Sequence, residues 1–145
     1  MTAAAPPPRR RPGQRRHAAL LAAAVVVLCG CGVSQPRLDG ARRAAAEFEK
    51  SLARADYAGA CALLAPQSRR QLEEDAARPC GQALAGEELP AGGAVRATQV
   101  YGRQALLHLD RDTLFLSQFA GGWKVVAAGC EPAAGLPYRC ALEGG

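Results

Sequence analysis

No run of about 20 apolar residues occurs in the 145-residue chain, which excludes a multi-spanning helical membrane protein. Charge is sparse at 21% while 49% of residues are hydrophobic, a balance too apolar for intrinsic disorder. No Gly-rich phosphate loop, nucleophile elbow, H-E-x-x-H or Walker sequence is present. Glycosidase chemistry needs two facing carboxylates, and no spacing here singles out a pair. The length allows one domain rather than two. The net charge of +5 is also misleading, because it sits at one end. Five of the 18 basic residues precede His17, leaving 13 against 13 acidic residues from Cys31 onward. A near-neutral domain gives no electrostatic footprint for nucleic acid.

Residues 1–30 read as an address. Arg9, Arg10, Arg11, Arg15 and Arg16 form a positive region, and Ala18 to Leu28 is an unbroken apolar stretch. That stretch suits the core of a signal helix and is too short to span a bilayer. Leu28-Cys29-Gly30-Cys31 follows and resembles the bacterial lipobox, with a large aliphatic residue at −3 and a small one at −1. The resemblance implies cleavage before Cys31 and attachment of a diacylglycerol (palmitate-type chains) to its thiol. Cys29 fits less well, since Leu28 would stand at its −1 position. An ordinary secretory signal cut near the same point is the plainer alternative. Arg15-Arg16 raises twin-arginine export, but Ala18 and Ala19 stand where large apolar residues are preferred. Two acyl chains anchor stably where one binds only marginally. The lipid bilayer is therefore the expected partner, on the outer face of the cytoplasmic membrane, with residues 31–40 as a tether and 41–145 as the domain.

Cys61, Cys80, Cys130 and Cys140 remain for the fold, and an even number in an exported domain is a disulfide signature. Three pairings are possible. The local one, Cys61 with Cys80 and Cys130 with Cys140, closes the shortest loops and is preferred. A metal is not expected: there is no C-x-x-C pair, and His108 is the only histidine after the signal. No cofactor is expected either.

Three helices are expected first. Gly40 to Ala55 places Ala41, Ala44, Ala45, Phe48, Leu52 and Ala55 on one face, with Arg42, Arg43, Glu49 and Lys50 on or near the other. Asp56 caps a helix over Tyr57 to Leu64, closed by Pro66. Ser68-Arg69-Arg70-Gln71 matches a capping box opening a third helix that runs to Arg78. A weaker helical turn lies around Gln82 to Ala85, and Gly86 to Gly93 reads as a loop. The period then switches to two. Ala94 to Tyr101 and Gln104 to Asp110 are joined at Gly102-Arg103, and Asp112 to Phe119 and Trp123 to Ala128 through Ala120-Gly121-Gly122. Residues 130–140 show no period and are expected to fold back on their own bridge. Helices followed by a four-stranded antiparallel meander make an α+β domain.

The order, with Asp56-Tyr57-Ala58 opening the second helix and Gly121-Gly122-Trp123-Lys124-Val125 in the last hairpin, resembles the cone-shaped nuclear transport factor 2-like fold. More narrowly, Cys61-Ala62-Leu63-Leu64, Pro79-Cys80, Val100-Tyr101-Gly102, Ala127-Ala128-Gly129-Cys130 and Pro137-Tyr138-Arg139-Cys140 are similar to small actinobacterial lipoproteins of unknown function. This likeness covers residues 41–145. A bias to Ala, Arg, Gly and Pro, with Lys50 and Lys124 the only lysines, fits the GC-rich genome of such an organism.

The resemblance implies a cone between sheet and helices that in related enzymes holds an acid/base pair. His108 and Asp110 share one face of a strand and would suit proton transfer. Leu107 and Leu109 mark the opposite face as the apolar one, which turns His108 and Asp110 outward, so no catalytic residue is expected. Asp110-Arg111-Asp112 reads as a turn. Tyr57, Tyr101 and Tyr138 are read as packing residues with their hydroxyls at water, and Trp123 as a core plug rather than a stacking platform. Arg69-Arg70 and Glu73-Glu74-Asp75 read as a solvated helix face with i,i+4 pairs. A non-enzymatic interaction or accessory domain on an anchored protein is therefore expected. Small-ligand binding in an apolar cone is the alternative, and an enzyme in that cone is the least favoured. A filled cone points to the first, and a hollow one lined by Leu and Phe to the second.

Overall fold

Pro36, with its fixed φ and missing N–H, suits the first turn of a helix, and α1 begins there, over Gln35–Ala53. The computed structural model describes residues 32–144; the signal segment and Cys31 lie outside the described residues. Residues 35–40, read from sequence as tether, are thus the first turns of α1. Gly40 is not a helix boundary: a Cβ there would come within 3.0 Å of the Trp123 indole, so the glycine is the notch that seats the ring. Ala41, Ala45, Phe48 and Leu52 are buried at helical spacing, as expected. Ala55 is not on that face; the helix stops at Ala53, and Ala55 turns out of it with φ 54°.

Asp56 caps α2 (Tyr57–Leu63), accepting the Gly59 N–H at 2.9 Å. The next helix departs from expectation. α3 is Pro66–Ala76 and starts at Pro66 itself, so that proline opens a helix rather than closing one. The capping box at Ser68 does not form. Ser68 is inside the helix and buried, and its hydroxyl donates to the Val126 carbonyl at 2.8 Å. Arg69 pairs with Glu73 at 3.1 Å and Gln71 with Asp75 at 2.9 Å along the exposed face. The weak turn after Pro79 is a full fourth helix, α4 (Cys80–Gly86).

The strands are β1 (Val95–Tyr101), β2 (Gln104–Leu109), β3 (Thr113–Phe119), β4 (Gly122–Ala133) and β5 (Leu136–Glu143). They form one antiparallel meander in the order β1-β2-β3-β4-β5, so the sheet has five strands rather than the four expected. The fifth is hidden in the sequence by Pro132, Gly135 and Pro137. Prolines are confined to bulges and edge strands because they cannot donate to a ladder. Pro132 lies at the irregularity between Glu131 and Ala133, and Pro137 is on the edge strand β5.

β5 pairs with β4 only from Ala127 onward, which leaves the edge of β4 around Trp123–Val126 open. The segment after α2 covers it. Leu64 bridges Val125 in parallel, Ala65 N–H donates to the Val125 carbonyl at 2.7 Å, and Lys124 Nζ reaches the Ala62 carbonyl at 2.7 Å. An exposed edge is an aggregation template, and this cap removes it.

The helices pack on one face of the sheet. Phe48 from α1, Leu84 from α4, Leu107 from β2, Leu114 and Leu116 from β3 and Val125 from β4 are all fully buried there. Burying each such side chain contributes roughly 1.5–3 kcal/mol. On the sheet, the Tyr138 ring meets Phe115 edge-on, with centroids 5.1 Å apart.

Candidate functional site

Two sulfur bridges and two carboxylates carry the polar and covalent chemistry of the domain. Cys61 on α2 is bonded to Cys80 at the start of α4, with Cα atoms 6.1 Å apart. Cys130 stands opposite Cys140 in the β4–β5 register and is bonded to it. Cys80 is held a second time, its N–H donating to Glu73 Oε1 at 3.2 Å.

Glu49 is the group that sequence reasoning misplaced. The charge pattern places it on or near the polar side of α1, yet it is only 6% exposed. The spacing offered a signal: Ala41, Ala45 and Glu49 follow one another at i+4 steps, on the face that is buried. One carboxylate oxygen, Oε2, accepts the backbone N–H groups of Gly92 and of Gly93, the latter at 3.3 Å. The other, Oε1, is buried without a partner. Burial raises the Glu49 pKa to about 7, against the lowering effect of the two N–H donors. The negative charge of Asp112 adds to the rise, and Arg111 opposes it.

Asp112 ends the turn between β2 and β3. It does more than the turn residue expected, because its carboxylate accepts three backbone donors. Oδ1 takes Thr113 N–H at 2.5 Å and Cys130 N–H at 2.8 Å, and Oδ2 takes Gly129 N–H at 3.0 Å. Burial pushes its pKa up, and these three N–H groups pull it back. Gly129 has φ +66°, and a Cβ there would sit 2.6 Å from Leu89, so the chain must be glycine to pass this point. The two acids therefore join α1, the loop before β1, the β2–β3 turn and β4 at one end of the sheet.

The chemistry available to them is limited. Asp112 borders a recess of about 210 Å³ together with Leu89, Pro90, Arg111 and Glu131, with three backbone donors on its carboxylate, two on Oδ1 and one on Oδ2. Glu49 is beneath Gly92, not on that recess: a Cβ on Gly92 would touch both Asp112 and Glu49. Glu49 thus has no contact with that recess, and Asp112 meets it with backbone donors already on both carboxylate oxygens.

His108 and Asp110 do not act on one another. His108 Nδ1 lies 3.3 Å from the Thr113 hydroxyl. Asp110 bonds Arg96 and the Ala94 N–H, which together hold its pKa below the usual carboxylate range. Leu107 and Leu109 are buried on the opposite side of β2. Trp123 is buried in the core against Gly40, and Tyr57 packs at its margin. Tyr101 is different: at 68% exposure it is the most open large hydrophobic side chain among the described residues. No group of three or more His, Cys, Asp or Glu side chains suited to a metal occurs among the described residues. No family model, curated protein or solved structure matches this chain.

Proposed function

We propose that the chain is a lipoprotein anchored through Cys31 at the outer face of the cytoplasmic membrane. Its domain is a non-catalytic interaction or accessory module on a cone-like, nuclear transport factor 2-like α+β scaffold. The observation that carries the domain's role is the filled interior. The side chains that point between helices and sheet, Phe48, Leu84, Leu107, Leu114, Leu116 and Val125, are packed on one another, where a ligand would need room. The two buried carboxylates support the same reading: Glu49 lies beneath Gly92 with Oε2 on two backbone donors, and three backbone donors hold Asp112. The lipobox-like Leu28-Cys29-Gly30-Cys31 supports the anchor.

The anchor is tested with Cys31→Ala. The variant is expected to leave the membrane fraction for the medium, or to accumulate with its signal uncut. Membrane retention and maturation equal to the parent would reject lipidation. For the module, crosslinking in intact membranes is expected to capture a reproducible protein partner, and its repeated absence counts against an interaction role.

A further inference from the structure

The meander fixes which loops share an end. The β1–β2 turn at Gly102-Arg103 and the β3–β4 turn at Ala120-Gly121 lie at one end of the sheet, and the Asp110–Asp112 turn lies at the other. α1 runs between these ends. Near its start, Arg37 donates to the Gly102 carbonyl and, at 3.0 Å, to Gln118 Oε1. Near its finish, Glu49 holds Gly92. The start of α1 and the two hairpin tips are thus a single surface.

That surface has a composition unlike the opposite end. Residues 33–37, 101–104 and 118–122 contain Arg37 and Arg103 and no acidic residue. They also contain the two large hydrophobic residues most open to water among the described residues, Tyr101 at 68% and Val33 at 41%, with Phe119 half-buried beside them. The far end carries Asp110, Asp112, Glu87, Glu88 and Glu131 around the recess and its turn, an acidic excess over Arg111, the Arg96 that pairs with Asp110 and the Arg139 that stands opposite Glu131. Only Gly32, Val33 and Ser34 separate Cys31 from the first residue of α1, a reach of at most about 14 Å when extended.

We infer that this hairpin end is a membrane-contact face, seated on an anionic bilayer with Tyr101 at headgroup level and Arg103, whose Nε and Nη2 donate to the Gln118 carbonyl, turning its Nη1 to lipid phosphate. The inference rests on the anchoring proposed above and adds to it an orientation. A tether this short brings the hairpin end to the headgroups, and the exposed aromatic ring is of the type that partitions to that depth. The end with basic charge and no acid faces the lipid and the end with the acidic excess faces away, the arrangement favoured by a negative surface potential. The acidic recess end is then presented outward, toward any partner.

The test uses the full-length protein purified from its own membranes and reconstituted in phosphatidylglycerol-containing vesicles with headgroup-nitroxide lipid. Mass spectrometry of the same sample reads the modification at Cys31. Tryptophan is introduced at Tyr101→Trp or, at the other end, at Glu131→Trp, with the buried Trp123 of the parent as background. Tyr101→Trp is expected to lose about half of its added emission to the nitroxide, with Glu131→Trp unaffected. Arg103→Glu in the Tyr101→Trp background is expected to weaken that quenching on anionic vesicles and to leave it unchanged on phosphatidylcholine alone. An acylated protein with equal quenching at both positions swings freely on its tether, which overturns the contact face and leaves the anchor standing. A chain with an unmodified Cys31 overturns both.

Discussion

Replacing Cys61 and Cys80 together by serine is expected to lower the unfolding free energy of the domain by about 3 kcal/mol. The bridge spans a sequence separation of 19, and closing a loop of that size removes entropy from the unfolded chain in this amount. The native side points the same way. α4 is seven residues long, too short to hold together alone, and its first residue is half of the bridge. Both sulfurs are buried, so two serines would also bring hydroxyls into the space between α2 and α4. A domain of this size has a total stability of roughly 5–15 kcal/mol, so the loss is a large fraction of it. Urea titration of the oxidised parent and the double variant measures it as the difference in extrapolated unfolding free energy, with a steeper slope for the variant because its unfolded chain is no longer cross-linked. A difference below about 1 kcal/mol would show that the bridge merely decorates helices already fixed by packing. The Cys130–Cys140 bridge closes a shorter loop between strands that are already hydrogen-bonded, so its removal is expected to cost less and to loosen mainly the β4–β5 turn.

How far the fold could be read from the chain depended on whether the signal was local. Asp56 ahead of a helix, Gly102-Arg103 between alternating runs and the change of period at Ala94 are each decided by a few neighbouring residues, and each element is where those residues put it. Signals that depend on distant partners misled. Gly40 looks like a helix end until Trp123, far along the chain, is brought against it. Ser68 matches a cap, but Val126 on β4 offers its hydroxyl a carbonyl inside the fold, and Pro66 has already started the helix. β5 has a proline and lacks strong alternation because it is an edge strand that takes its order from β4. The candidate site was the least legible part. Glu49 follows Ala41 and Ala45 on the buried face, but what holds a carboxylate there, and all that distinguishes Asp112 from a surface acid, are glycine N–H groups supplied by other elements.

Glu49 makes stability depend on pH in an unusual direction. Its pKa in the folded domain is about 7, against an ordinary value of 4.5, so between these limits the folded state holds a proton that the unfolded state has released. Stability from this group is therefore full below the ordinary pKa and is lost as pH rises through the window, levelling above the folded value. Between about pH 5.5 and about pH 8 the loss amounts to about 2 kcal/mol. Asp112, also raised, works in the same direction from a lower starting pH. Asp110, lowered by Arg96, works in the opposite direction but titrates below this range. Urea midpoints at the two pH values are thus expected to fall on going alkaline. Glu49→Gln keeps an oxygen for the Gly92 and Gly93 donors and removes the charge. It is expected to match the parent only below the ordinary carboxylate pKa, to exceed it by about 1 kcal/mol near pH 5.5 and by about 3 kcal/mol near pH 8, and so to flatten the slope between them. Glu49→Ala leaves both N–H groups unpaired in a buried cavity and is expected to cost about 2–4 kcal/mol near pH 5.5, and about 2 kcal/mol less near pH 8, where the parent has lost the Glu49 contribution. A Glu49→Gln protein that keeps the parent's pH slope would mean that Glu49 is ionised in the fold and that its free oxygen finds water. The seal over this end of the sheet would then be open, and the acid would regain the access to solvent that proton-transfer chemistry requires.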